Sequence, residues 1–182
     1  TIKAQEALSE AQSLATSRGH SQIDSAHLLS ALLAQPEGST IPVLQKLGVA
    51  VPALQERVEQ RLGQIAKVTG GAQPHLGPSA VKILEGAFKE AEPFKDQYIS
   101  TEHMLLAIAA DRSDPTGDLL RDSGVSHEAI LKALESVRGS APIEDQDPES
   151  KYQALEKYGR DLTAVARADK LDPVVGRDDE IR

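Results

Sequence analysis

The sequence predicts an all-α fold: two pseudo-symmetric four-helix repeats, about eight helices, followed by a flexible linker and a short helical tail. Three observations predict it. Shifted by 76 positions, the chain aligns with itself without a gap and gives 16 identities over residues 2–63. Ordinary residue frequencies would give about four. The apolar residues recur at helical spacing. No β-rich alternating segment interrupts them.

The elements follow in order. Ala4, Leu8, Ala11, Leu14 and Ala15 mark a first helix that ends at Gly19. Ser25 reads as the N-cap of a second helix, His27 to Leu33, because a capping hydroxyl accepts an orphan amide of the first turn. Thr101 does the same for its repeat mate, His103 to Ile108. These second helices are apolar nearly all round, so they belong at the buried centre of each half. Loops with Pro and Gly follow, Pro36 to Pro42 and Asp111 to Gly117, then short helices over 43–47 and 118–122. Gly48 and Gly124, each followed by Val, close them as left-handed C-terminal caps. Fourth helices over about 52–63 and 127–138 carry Leu54, Val58 and Leu62, or Ile130, Leu134 and Val137, on one face. Residues 64–77, with Gly70, Gly71, Pro74 and Gly77, join the halves as a loop. Repeat one is thus 1–63, repeat two 77–138, and the domain 1–138.

Composition bounds the function. The 182 residues contain no cysteine, which excludes disulfides, thiolate zinc sites and a cysteine nucleophile. A net charge of −8 and a single-figure aromatic content without Trp argue against a nucleic-acid binder. No apolar run is long enough to span a membrane, and no signal peptide opens the chain. The expectation is a soluble cytoplasmic protein. Half of the net charge falls on residues 139–182. There Gly139-Ser140-Ala141-Pro142 is followed by Glu144, Asp145, Asp147 and Glu149, so 139–150 reads as a flexible, solvated acidic linker.

No phosphate-cradling GxxxxGK[ST], HExxH, GxSxG or EF-hand pattern occurs, so the chain is not expected to be an enzyme. His27 and His103 are repeat-equivalent, but no carboxylate cluster repeats with them. Each reads as a first-turn helix histidine with one nitrogen hydrogen-bonded, and no metal is expected.

Two stretches carry a family resemblance. Tyr152-Gln153-Ala154-Leu155-Glu156-Lys157-Tyr158-Gly159-Arg160-Asp161-Leu162-Thr163, with Leu171-Asp172-Pro173-Val174-Val175-Gly176-Arg177, resembles the lead-in to the first ATPase module of the Clp family of AAA+ unfoldases. The double repeat, with Ile23-Asp24-Ser25-Ala26-His27 and Ile99-Ser100-Thr101-Glu102-His103, is similar to the N-terminal domain of the same family, in the ClpB-type disaggregase form. The resemblance implies that 151–182 begins the first AAA+ module. Val174, Val175, Gly176 and Arg177 would border the adenine in the full-length parent, which would bind ATP and Mg. The fragment itself needs no cofactor and is expected to bind no nucleotide, because the P-loop lies beyond Arg182.

The implied role is capture of unfolded or aggregated polypeptide clients for threading. The parent would be a homohexamer working with an Hsp70-type chaperone system, and the isolated fragment a monomer. Docking of adaptors, as in protease-associated Clp ATPases, is the alternative. Thr1, Asp96 and Glu102 match family positions implicated in substrate handling, with Ile83, Leu84, Ala87, Phe88 and Tyr98 as nearby apolar candidates. On this reading, Asp96→Ala with Glu102→Ala weakens client binding and leaves the thermal transition within a few degrees. Acids at a helix N-terminus also stabilise the helix dipole without any substrate, by about 0.3–1 kcal/mol. Leu84 and Phe88 also have the spacing of ordinary core residues.

Overall fold

A computed structural model describes residues 1–68, 73–139, 142–149 and 167. Its elements are α1 (Ile2–Arg18), β1 (Gln22–Ile23), α2 (Ser25–Ala34), α3 (Thr40–Lys46), α4 (Val51–Gly63), β2 (His75–Leu76), α5 (Pro78–Ala91), α6 (Thr101–Ala110), α7 (Pro115–Asp122) and α8 (His127–Val137). Helices α1, α2 and α4 begin 76 residues before α5, α6 and α8, which is the shift of the sequence repeat. Of the residues expected to begin an ATPase module, 151–182, all but Arg167 lie outside the described residues, Val174 to Arg177 among them.

The core is built around α2 and α6. Leu28, Leu29 and Leu32 on one, and Met104, Leu105, Leu106 and Ile108 on the other, are fully buried. Each such side chain contributes about 1.5–3 kcal/mol by leaving water. The flanking helices bury one stripe each. In α1 that stripe is Ala4, Ala7, Ala11 and Ala15, and in α5 it is Ala80, Ile83, Ala87 and Ala91. Small side chains on the stripe let α5 approach α6 until a Cβ placed on Gly86 would lie 3.0 Å from that of Ala107. α4 and α8 close the other side with Leu54, Val58 and Leu62, and with Ile130, Ala133 and Leu134.

The repeats are tied across their boundary by matching hydroxyl pairs. Ser25 Oγ lies 2.8 Å from Thr116 Oγ1, and Thr101 Oγ1 lies 2.8 Å from Ser39 Oγ. In each case the first residue of a central helix meets the start of the short helix in the other half.

Several expectations shift. The second helices are capped one residue earlier, at Asp24 and Ser100 rather than Ser25 and Thr101. The histidines explain the shift. The backbone N–H of Asp24 donates to His27 Nδ1 at 2.9 Å, and that of Ser100 to His103 Nδ1 at 3.0 Å. His therefore takes the place that Glu or Gln holds in a capping box, and Ser25 and Thr101 are released for the cross-repeat pairs. The short helices start earlier than expected, at Thr40 and Pro115. Pro42 and Pro115 fall in first turns, where a missing N–H costs nothing. Gly48 and Gly124 are left-handed, with φ of 70° and 82°, as expected. Residues 64–77 are not all loop: β1 and β2 pair in parallel, Gln22 with His75 and Ile23 with Leu76. Two residues per strand are too few to show alternation.

The expectation of a solvated linker over 139–150 does not describe residues 142–149. Ile143 is 2% exposed and Glu149 also 2%. The Gln97 N–H donates to Ile143 O at 2.9 Å, and the Ile2 N–H to Gln146 O at 2.7 Å. Averaged over the stretch, the composition is acidic, but one isoleucine with paired backbone is enough to seat a strap.

Candidate binding surfaces

The strap crosses a buried polar cluster that gathers three of the expected site residues. Asp96, in the loop between α5 and α6, receives both terminal nitrogens of Arg138 at 2.7 Å. It also accepts the Ile143 N–H at 2.6 Å and faces His103 Nε2 at 2.9 Å. Its side chain is fully enclosed, although its backbone reaches the surface. Glu102, in the first turn of α6, is buried too. It accepts from Ser39 Oγ at 2.8 Å and lies 3.5 Å from Arg138 Nη1. Arg138 stacks over the Phe94 ring with its Cζ 4.8 Å from the centroid. Thr1 Oγ1 donates to Glu149 Oε1 at 2.8 Å.

Electrostatics follow from this enclosure. Burial holds the His103 imidazole below its ordinary pKa, and its Nδ1 is already committed to the cap. Burial, reinforced by the nearby Glu102 charge, pushes Glu149 up. In the first repeat, burial lowers His27 to about 4. His27 Nδ1 accepts from the Asp24 amide, so Nε2 carries the proton and points it at His20 Nδ1, 2.8 Å away. Both repeat-equivalent histidines thus serve as caps, and the described residues contain no group of three or more potential metal ligands.

The apolar candidates separate by helix face. Ile83 and Ala87, expected beside an open groove, are 1% and 0% exposed and belong to the core. Glu102 and the Asp96 carboxylate are likewise enclosed and offer no charge to solvent. Phe88 stands out at 65% exposed, with Leu84 and Tyr98 half-buried. Val81, which sequence reasoning missed, is exposed one and two turns before them on α5, at the i, i+3, i+7 spacing of Val81, Leu84 and Phe88. That spacing could have found it, but Ile83 and Ala87 offered an equally apolar face. On the adjoining side of α5, Lys82, Glu85 and Lys89 wall a groove of about 520 Å³ against α6, floored by Gly86 and Ala107. Among the described residues no helix is long and apolar enough to cross a membrane.

Comparison with known proteins gives this architecture its context. The family model of the Clp repeat (R) N-terminal domain matches residues 1–123. Chaperone protein ClpB of Rhodopirellula baltica is 44% identical over 183 residues, spanning all of this chain and 20% of that protein. Chaperone protein ClpB of Bacillus cereus is 42% identical over 186 residues, spanning all of this chain and 21% of its own length. The chain thus spans about a fifth of the curated relatives it matches. Among solved structures, the Hsp104 N-terminal domain from Candida albicans superposes with a TM-score of 0.70 at 23% identity, covering 80% of this chain and 95% of that one. A ClpV N-domain in complex with a VipB peptide gives 0.59 at 21%, covering 76% and 86%. These two likenesses show the fold. The family match and the relatives together show that the chain belongs to the Clp repeat N-terminal domain family, in its ClpB-type form.

Proposed function

We propose that this domain captures exposed apolar segments of unfolded or aggregated polypeptide on the Val81–Leu84–Phe88 face of α5, and presents them to the ATPase ring of a ClpB-type parent. The observation that carries the reading is Phe88. A 65% exposed aromatic continues a line of apolar side chains on a helix whose other face is fully engaged in the core. A folded domain gains nothing from such exposure, and apolar surface rimmed by charge is the mark of an interaction site. Lys82, Glu85 and Lys89 supply that rim. Binding on a shallow ridge is weak and tolerant of sequence, which suits many clients; linked copies in a ring raise it by avidity.

The parent's homohexamer, its ATP and Mg, its place in the cytoplasm and its work with an Hsp70-type system belong to the same proposal. A second reading, adaptor docking, is supported by the ClpV N-domain solved with a defined peptide.

The test is anisotropy of a labelled, permanently unfolded client against the wild-type chain and the Val81→Ser/Phe88→Ala variant. The expected result is binding weakened about fivefold or more, since central aromatic contacts dominate such surfaces, with little change in thermal stability. Unchanged client binding overturns the reading. Binding of a folded partner but not of the unfolded client favours adaptor docking.

A further inference from the structure

The two halves of the domain meet along two pseudo-equivalent seams, α4 against α7 and α3 against α8. The 76-residue shift makes these seams copies of one another, yet they are finished differently. On the α4 side Arg57 lies across the seam. Its Nη1 donates to Ser123 Oγ at 2.6 Å and to Leu119 O, in the last turn of α7, at 3.4 Å. Its Nη2 lies 3.7 Å from Asp122.

On the α8 side the position of Arg57 is taken by Ala133, that of Asp122 by Lys46 and that of Ser123 by Leu47. The pin is gone and the acid has become a base. An open groove of about 500 Å³ remains, lined by Leu47, Ala129 and Ala133, with Lys46, Lys132 and Glu135 around it. Both lysines are exposed, and neither has an ion pair among the described residues. In a chain of net charge −8 this rim, two lysines against the single Glu135, is locally net positive over an apolar floor.

We propose that the α3/α8 groove docks a short acidic segment of a partner polypeptide, with an apolar side chain filling the space that Arg57 fills in the mate seam. Carboxylates on either side of that anchor meet Lys46 and Lys132. The filled seam shows that a long side chain fits this architecture; the reversed charge at the rim selects acids over the guanidinium. The site is separate from the α5 ridge, so a ring subunit can hold a client and an acidic partner at once.

The test uses a labelled six-residue peptide, two leucines flanked by pairs of glutamates, titrated into the 182-residue chain by anisotropy and by amide NMR shifts. Saturable binding is expected, with shifts confined to α3 and α8. Lys46→Glu/Lys132→Glu weakens it about tenfold or more, and added salt weakens it in the wild type. Ala133→Arg, which puts a long side chain into the groove without the acid and hydroxyl that hold Arg57 in the mate seam, blocks the groove. Val81→Ser/Phe88→Ala leaves this peptide's affinity unchanged while lowering client binding, so the two sites fail independently. If Ala133→Arg does not fold, the surface lysine pair decides alone. The proposal is overturned by no binding, by equal binding of a peptide with glutamine for glutamate, by indifference to charge reversal, by shifts elsewhere, or by a second copy of the chain covering the groove in solution.

Discussion

Removing the Asp96 carboxylate separates a structural role from a client-binding role. In the folded domain that carboxylate accepts two hydrogen bonds from Arg138 at 2.7 Å and one from the Ile143 N–H at 2.6 Å. The Arg138 side chain is 2% exposed and the Asp96 side chain 0%. Asp96→Ala leaves a buried guanidinium with the longer 3.5 Å contact to Glu102, and deprives the Ile143 amide of its acceptor. Breaking a buried pair from one side costs about 3–5 kcal/mol. The lost amide bond belongs to the same carboxylate, so it is not added in full. For a domain near 150 residues, each kcal/mol moves the melting temperature by about 3–4 °C, so a fall of roughly 10–20 °C is expected. Calorimetry of wild type, Asp96→Ala, Arg138→Met and the double variant measures it. The double variant is expected to recover about 1.5 kcal/mol or more relative to the sum of the singles, because neither Asp96 nor Arg138 is left buried without the partner that makes their two short hydrogen bonds. A melting temperature within a few degrees of wild type, with client binding lost, would refute this reasoning and restore Asp96 to the role that family resemblance implies.

Two further outcomes follow from the same structure. Burial lowers His27 from 6.5 to about 4 in the folded state, so the unfolded chain binds more protons across that interval. Stability is then complete above pH 6.5 and is lost towards pH 4, by about 3 kcal/mol for this group. His20 and His103 shift the same way and add to the loss, while the raised Glu149 opposes it. Thermal melts from pH 7.5 to 4.5 read the slope. His27→Gln, which can still accept the Asp24 amide, is expected to flatten it. Glycines divide into two kinds. A Cβ on Gly117 would lie 2.2 Å from Asp111 O and 2.7 Å from Ile108 O, so Gly117→Ala is expected to cost about 3 kcal/mol or more. Gly48 faces open space at φ +70°, so Gly48→Ala costs about 1–2 kcal/mol of backbone strain; denaturant midpoints distinguish them.

The helices were legible because their signals are local. The alanine stripe of α1, the all-apolar α2 and α6, and the left-handed glycines after α3 and α7 each declare themselves within a few residues. Local chemistry places the caps one residue late because Ser25 and Thr101 are themselves good N-caps. What moves the cap is the histidine three residues after Asp24 and Ser100. Composition assigns the strap to solvent because four acids outweigh Ile143 in any window average. Family resemblance points to Asp96, Glu102 and Phe88 alike, but nothing local tells that the two acids are enclosed and the aromatic is not.

The sequence by itself determined the duplication, the number and order of the helices and which side chains fill the centre. Periodicity and the 76-residue shift are properties of the chain alone. The tertiary structure decided which surfaces remain available. Arg138 reaches back 42 residues to neutralise Asp96, and Glu149 closes on Thr1 across 148. Arg57 fills one seam, and Ala133 leaves its copy open. Whether a charge is buried and paired depends on partners distant in sequence, and no local pattern carries that information.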